Sequence, residues 1–183
     1  SMDFYRNYEI IKNMGFKTIN VDLMFGLPNQ NLEDVLKTLG KVADLGVGHI
    51  SYYSLILEEG TPMFRWHKEG RINIPNEETE RNMYHKGIEF LLDKGYNHYE
   101  ISNFSKPNLK CKHNLIYWQV KPYIGLGIAA HSNLNGKRFW NYNNFDDYYR
   151  CIKNKKIPIE GKEEIDNRME IAEYLIMGLR SEE

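Results

Sequence analysis

Residues 18–28 read Thr18-Ile19-Asn20-Val21-Asp22-Leu23-Met24-Phe25-Gly26-Leu27-Pro28. Ile19, Val21, Leu23 and Phe25 alternate onto one face, which predicts a buried strand from Thr18 to Phe25, and Gly26-Leu27-Pro28 breaks it. Helical signals lie on both sides. Before the strand, Phe4, Tyr8, Ile11 and Met14 recur at helical spacing, and Gly15 suits the position just past a helix end. After it, Asn31 is placed to cap a helix, with Glu33 and Asp34 in the first turn, where the helix dipole favours acids. Leu32, Val35, Leu36, Leu39, Val42 and Ala43 make the apolar stripe of that helix, and Gly46 stops it.

The alternation repeats. A second strand is expected from about His49 to Leu57. A third helix starts at Asn76-Glu77-Glu78, carries Met83, Ile88, Leu91 and Leu92, and stops at Gly95. A third strand follows at about Asn97 to Ile101. Helix–strand units with short connections imply right-handed crossovers and a parallel sheet, so the expected class is α/β. Three units are fewer than a closed barrel requires, so the pattern is an arc of one. Beyond Asn103 the texture changes. Residues 104–123 read as a long ordered loop, Ile124 to Leu134 as a strand weakened by Gly125 and Gly127, and Asn135-Gly136 as a hairpin turn returning through Arg138, Phe139 and Trp140. Helices are expected at Asp146 to Ile152 and Asn167 to Leu179, with a solvated linker from Lys153 to Lys162. The expected division is 1–103 for the α/β units and 104–183 for an extension with loop, hairpin and helices.

Bulk properties narrow the function. In 183 residues, 24 Lys and Arg face 25 Asp and Glu, so a net charge of −1 offers no basic footprint for nucleic acid or an anionic membrane. With 42% hydrophobic and 13% aromatic residues the chain has ample core-formers and is not expected to be disordered. No apolar run approaches the roughly 20 residues of a transmembrane helix. The start carries no secretion signal, and Ser1 before Met2 reads as the remnant of a removed tag. Two cysteines, Cys111 and Cys151, fit unpaired thiols better than a disulfide framework, which makes the cytoplasm the expected location.

Two places concentrate chemistry. In parallel α/β folds the site lies at the C-terminal strand ends, here Gly26-Leu27-Pro28, Glu58-Glu59-Gly60-Thr61-Pro62 and Ser102-Asn103. Asp22 sits one turn inside the first strand. A carboxylate amid Val21, Leu23 and Met24 must find donors: it either ties down neighbouring backbone N–H groups or accepts from ligand hydroxyls such as those of a ribose. The second place is Cys111-Lys112-His113-Asn114 with Tyr117 and Trp118. Cys-x-His can open a zinc site, but no second pair follows at suitable spacing. His113 is either a structural histidine or the ligand of a planar aromatic cofactor such as heme, with Tyr117 and Trp118 lining the pocket. Lys106, Lys110 and Lys112 either meet the carboxylates of that cofactor or form a solvated face. His131 is expected to make a core hydrogen bond.

Several stretches together resemble one family. The strand and turn Asn20 to Pro28 is similar to N-x-D-L-x-x-G-L-P. His49-Ile50-Ser51-Tyr52-Tyr53-Ser54-Leu55 with Glu59-Gly60-Thr61-Pro62, then Tyr99-Glu100-Ile101-Ser102-Asn103-Phe104, and Gly125-Leu126-Gly127 to Ala130-His131-Ser132 match further segments. These resemble the radical S-adenosylmethionine (SAM) proteins of the oxygen-independent coproporphyrinogen III oxidase and heme-chaperone family. His113-Asn114-Leu115-Ile116-Tyr117-Trp118 resembles the H-N-x-x-Y-W motif of its heme chaperones. The resemblance implies the C-terminal part of a radical-SAM, partial TIM-like barrel. It implies that His113 contacts heme, that Asp22 binds the ribose of SAM, and that heme passes to acceptor proteins. The rival within the family is the oxidase, which decarboxylates porphyrinogen propionates; a third reading is an inert structural piece.

One departure is large. The family's C-x-x-x-C-x-x-C, which holds a [4Fe–4S] cluster, is absent, so SAM and the cluster are expected only in a longer parent. This chain alone is not expected to cleave SAM, and whether it is an enzyme stays open. A barrel arc also leaves strand N–H and C=O groups unpaired at its cut edge, which predicts self-association there.

Overall fold

The computed structural model describes residues 2–180. The chain divides into two compact units, with the boundary in sequence between Cys111 and Lys112. The first contains α1 (Met2–Asn13), β1 (Asn20–Phe25), α2 (Leu32–Asp44), β2 (His49–Ser54), α3 (Pro62–Lys68), α4 (Glu77–Asp93), β3 (Asn97–Glu100) and β4 (Asn103–Ser105). Its sheet has the order β1-β2-β4-β3. β1 and β2 run parallel, Asn20 opposite His49 and Phe25 opposite Ser54. β4 is antiparallel to both β2 and β3. The sheet is therefore mixed, which corrects the expectation of a purely parallel one. The chain reverses at Ile101-Ser102, and the three residues of β4 slip between β2 and β3.

One face of this sheet is apolar. Val21, Phe25, Ile50, Tyr52 and Phe104 meet Val35, Leu39 and Val42 of α2 and Met83 and Leu91 of α4. Fully burying each large side chain contributes about 1.5–3 kcal/mol. The Phe25 and Tyr52 ring centroids are 4.4 Å apart. The helix stripe holds as read, and Asn31 closes a capping box: Asp34 N donates to its side chain at 2.9 Å, and Asn31 N donates to Asp34 Oδ2 at 3.1 Å. α4 approaches the sheet closely because residue 87 is glycine. A Cβ there would lie 2.5 Å from the Tyr52 ring.

The second unit contains α5 (Lys112–Trp118), β5 (His131–Leu134), β6 (Lys137–Asn141), α6 (Phe145–Lys153), β7 (Ile159–Glu164) and α7 (Asn167–Gly178). The hairpin at Asn135-Gly136 forms with both residues at positive φ, 55° and 69°, as a tight two-residue turn demands. Three expectations are corrected here and at the junction. Residues 104–123 are not one loop but hold the end of β4 and all of α5. Only His131–Leu134 of the stretch from Ile124 is strand. The linker at 153–162 contains the start of β7, which completes an antiparallel β5-β6-β7 sheet. Its residues alternate half-buried and exposed, and Gly161 lies opposite Trp140, where an added Cβ would fall 2.4 Å from the indole. α3 went unread as well. Thr61 caps it, accepting from Phe64 N at 3.2 Å, and Pro62 sits at its start.

Candidate functional site

The other face of the first sheet is polar. Strand alternation and register put Asn20 and Asp22 of β1, His49 and Ser51 of β2, and Ser105 and Asn103 of β4 on it. Asp22 is exposed. This corrects the expectation of a carboxylate in apolar surroundings: period-two geometry turns Asp22 away from Val21 and Leu23, and its donor is the Asn20 side chain, not backbone. Asn20 Nδ2 donates to Asp22 Oδ1 at 2.6 Å and to Ser51 Oγ at 3.1 Å.

Behind these residues the groups are buried. His49 is 2% exposed and Tyr99 4%. His49 Nδ1 lies 2.6 Å from Asn20 Oδ1, and His49 Nε2 lies 2.6 Å from the Tyr99 hydroxyl. Cys111 N donates to that hydroxyl at 3.2 Å. Burial pulls the His49 pKa below its usual value, against the raising pull of Asp22 and Glu100. Burial pushes Tyr99 up to about 12. Glu100, also buried, accepts from Ser102 N at 2.9 Å and from the Asn103 amide. Asn103 Oδ1 and Ser105 Oγ are buried without a hydrogen-bond partner. The residues that sequence reading missed are His49, Tyr99 and Asn20. The pattern His49-x-Ser51 opposite Asn20-x-Asp22 was the available signal, but it has meaning only once the strands are paired.

At the C-terminal end of β1, Phe25 and the α4 residues Glu77, Glu80, Arg81 and Tyr84 line an open cavity of about 290 Å³. Ser54 Oγ donates to Glu80 Oε1 beside it at 2.5 Å. The Glu58–Pro62 turn serves as the cap of α3, and Ser102 O accepts from Tyr52 N at 2.7 Å. Those two turns have structural work.

In the second unit His113 is exposed on α5, with its ring edge-on to Tyr117 at 4.8 Å. Tyr117 in turn meets Tyr123 at 4.6 Å. The Trp118 indole N–H is buried without a partner, and the Arg180 guanidinium lies 4.3 Å from the Trp118 ring centroid. A cavity of about 250 Å³ follows, lined by residues including Tyr117, Tyr123, Arg138 and Met177. Arg138 bridges Glu163 at 3.0 Å and Glu173 at 2.6 Å. His131 is exposed and stacked on Trp140 at 5.8 Å, which corrects its expected place in a core. Of the lysines, Lys106 reaches the Lys94 carbonyl and lies over the Tyr96 ring, and Lys110 lies over Tyr99; Lys112 is exposed.

Cys111 ends the first unit and Cys151 lies on α6 of the second. Among the described residues no group of three or more His, Cys, Asp or Glu could hold a metal ion. These two thiols do not fit an iron–sulfur cluster, which needs three or four neighbouring ligands.

No family model matches the chain. The fold is similar to that of Escherichia coli HemN, described as a coproporphyrinogen III oxidase and radical SAM enzyme. The TM-score is 0.72 with 19% identity, over 93% of this chain and 42% of that one. This places the chain in the α/β class of that enzyme. By sequence the chain is similar to proteins named heme chaperone HemW. It is 35% identical to the Bacillus subtilis member over 178 residues, 97% of this chain and 47% of the relative. It is 38% identical to the Synechocystis member over 88% of this chain and 40% of the relative. The member from Buchnera aphidicola of Schizaphis graminum is 42% identical, over 77% and 35%. The chain thus spans about half the length of the curated relatives it matches. Among the described residues no helix is long and apolar enough to cross a membrane.

Proposed function

We propose that this chain is part of a cytoplasmic radical SAM family protein that binds heme and passes it to acceptor proteins, with His113 as the residue that contacts the heme. The observation that carries this reading is the presentation of His113: exposed at the start of a short helix, with Tyr117 and Trp118 on the same segment. Heme is the cargo. Imidazole supplies a nitrogen to its iron, and the aromatic side chains offer a flat apolar surface to the macrocycle.

Asp22 is proposed to accept hydrogen bonds from the ribose hydroxyls of SAM. An exposed carboxylate with Asn20 and Ser51 beside it has the donors and acceptors for a vicinal diol. SAM bound to a cluster supplies radical chemistry in proteins of this class. This chain contributes only binding and orientation, since it carries no cluster ligand set. The four-stranded sheet is proposed to be the arc of a larger barrel. β1 is an edge strand whose far side would pair with strands of the parent or, in this chain alone, with a second copy.

A heme titration followed by the Soret band tests the central reading, comparing the chain with His113→Ala. Saturable binding weakened roughly tenfold by the substitution, about 1.4 kcal/mol, supports it. Equal binding by both proteins would show adsorption on exposed apolar surface and sink the assignment of His113.

A further inference from the structure

We infer that His49 and Tyr99 are positioning residues for Asp22, acting through the side-chain amide of Asn20. The inference rests on the reading of Asp22 as a ribose-binding carboxylate and names the residues that prepare it. Asn20 Oδ1 can only accept, so the His49 nitrogen 2.6 Å from it, Nδ1, carries the hydrogen. In the neutral imidazole that burial favours, Nε2 is then a lone pair, and the Tyr99 hydroxyl at 2.6 Å donates to it. The Tyr99 oxygen is left to accept the Cys111 N–H at 3.2 Å. Every direction in this chain follows from the one before it.

The consequence falls on Asn20. An asparagine amide has two faces of similar shape, and its neighbours decide which end is the donor. With its carbonyl held by His49, the NH₂ is turned to Asp22 Oδ1. One carboxylate oxygen is thereby held in place, and the other is left for a ligand on the exposed side. His49 and Tyr99 are both nearly inaccessible to water, so no solvent molecule substitutes between them. Asn20 is exposed and its Oδ1 also accepts from Ser51 Oγ, at 3.3 Å, against 2.6 Å to His49, so the shorter, buried contact is the one that fixes the amide. A network that merely braced the sheet would not need to end on an exposed carboxylate.

The test uses this chain with His49→Leu, His49→Asn and Tyr99→Phe, each measured well below its own unfolding transition. Nitrogen-15 NMR of the wild type is expected to show neutral His49 with the hydrogen on Nδ1; hydrogen on Nε2 would overturn the inference. Adenosine, with 2′,3′-dideoxyadenosine as control, probes the ribose site. Affinity for adenosine is expected to fall roughly five- to tenfold in His49→Leu, the scale of one hydrogen bond. His49→Asn, whose amide returns a donor near the Nδ1 position, should recover most of it, and the dideoxynucleoside should not distinguish the variants. Equal adenosine affinity in wild type and His49→Leu would overturn the positioning role. If the wild type binds no adenosine, the ribose reading of Asp22 fails for this chain. The inference is then decided by the Asn20 side-chain NH₂ resonances: loss of their resolved, exchange-protected signals in His49→Leu and Tyr99→Phe upholds it, and unchanged signals overturn it.

Discussion

Tyr52 lies directly against Gly87, with its ring in the space a side chain at 87 would need and its hydroxyl donating to the Met83 carbonyl at 2.8 Å. One glycine on α4 thus sets how closely that helix approaches the sheet. Tyr52 is 1% exposed and has no empty neighbourhood to move into. Gly87→Ala is expected to destabilise the first unit by about 1–3 kcal/mol, the usual cost of overpacking, despite alanine's better helix propensity. Thermal or urea unfolding measures it; a stabilised variant would mean that the helix shifts without strain.

The second sheet makes the same kind of demand at Gly161. Trp140 lies across it, and any Cβ collides with the indole. Gly161→Ala is expected to displace Trp140 and cost about 1–3 kcal/mol. The indole N–H resonance of Trp140 should shift while the core resonances of the first unit hold their positions.

Removing the cap of α2 has a smaller, local effect. Asn31→Ala abolishes the Asn31 half of a reciprocal pair with Asp34 and is expected to cost about 1 kcal/mol. Asn31→Asp, which keeps an acceptor, should recover most of that in the same unfolding assay.

His49 makes stability depend on pH. Its folded pKa is below the unfolded value of 6.5, because burial disfavours the imidazolium more than Asp22 and Glu100 favour it. The unfolded chain therefore binds more protons in this range, and stability rises with pH. The contribution is present above pH 6.5 and is lost as pH falls through the folded pKa. His49→Asn should flatten the part of the stability–pH curve just below 6.5; an unchanged slope would show that other groups control it.

β1 exposes Met24, 39% accessible, on an edge strand. Light scattering is expected to find a concentration-dependent dimer, and Met24→Lys to weaken it, since a charge on an edge strand opposes pairing. A monomer for both proteins at high concentration would exclude association through this edge.

Much of the first unit was legible because its signals are local. The stripe from Leu32 to Ala43 and the alternation from Ile19 to Phe25 follow from 3.6- and two-residue periodicity, and the cap at Asn31 from its side-chain acceptor; the helix formed as read, and the strand formed over Asn20–Phe25, two residues later than its expected start at Thr18. Asn135-Gly136 made its hairpin for the same reason, since few residue pairs accept two positive φ angles. Elements stabilised by distant partners were not legible. β4 has three residues and exists because β2 and β3 offer it hydrogen bonds on both sides. β7 is charged and polar along Glu160 to Glu164, which reads as linker until β6 pairs with it and Trp140 covers Gly161.

The candidate site divides along the same line. The sequence by itself determined the α/β class of the first unit, the likeness to the heme-chaperone proteins, the lack of a cluster ligand set and the notice given to Asp22 and His113. Those rest on residue identity, composition and short-range order. Tertiary structure alone decided that Asp22 faces outward, that His131 leaves the core for Trp140, and that Asn20, His49, Tyr99 and Cys111 form one directed chain of hydrogen bonds. The first and last of these, Asn20 and Cys111, are 91 positions apart in sequence. Only the parallel register of β1 on β2 and the return of the chain through β3 bring the four within bonding distance.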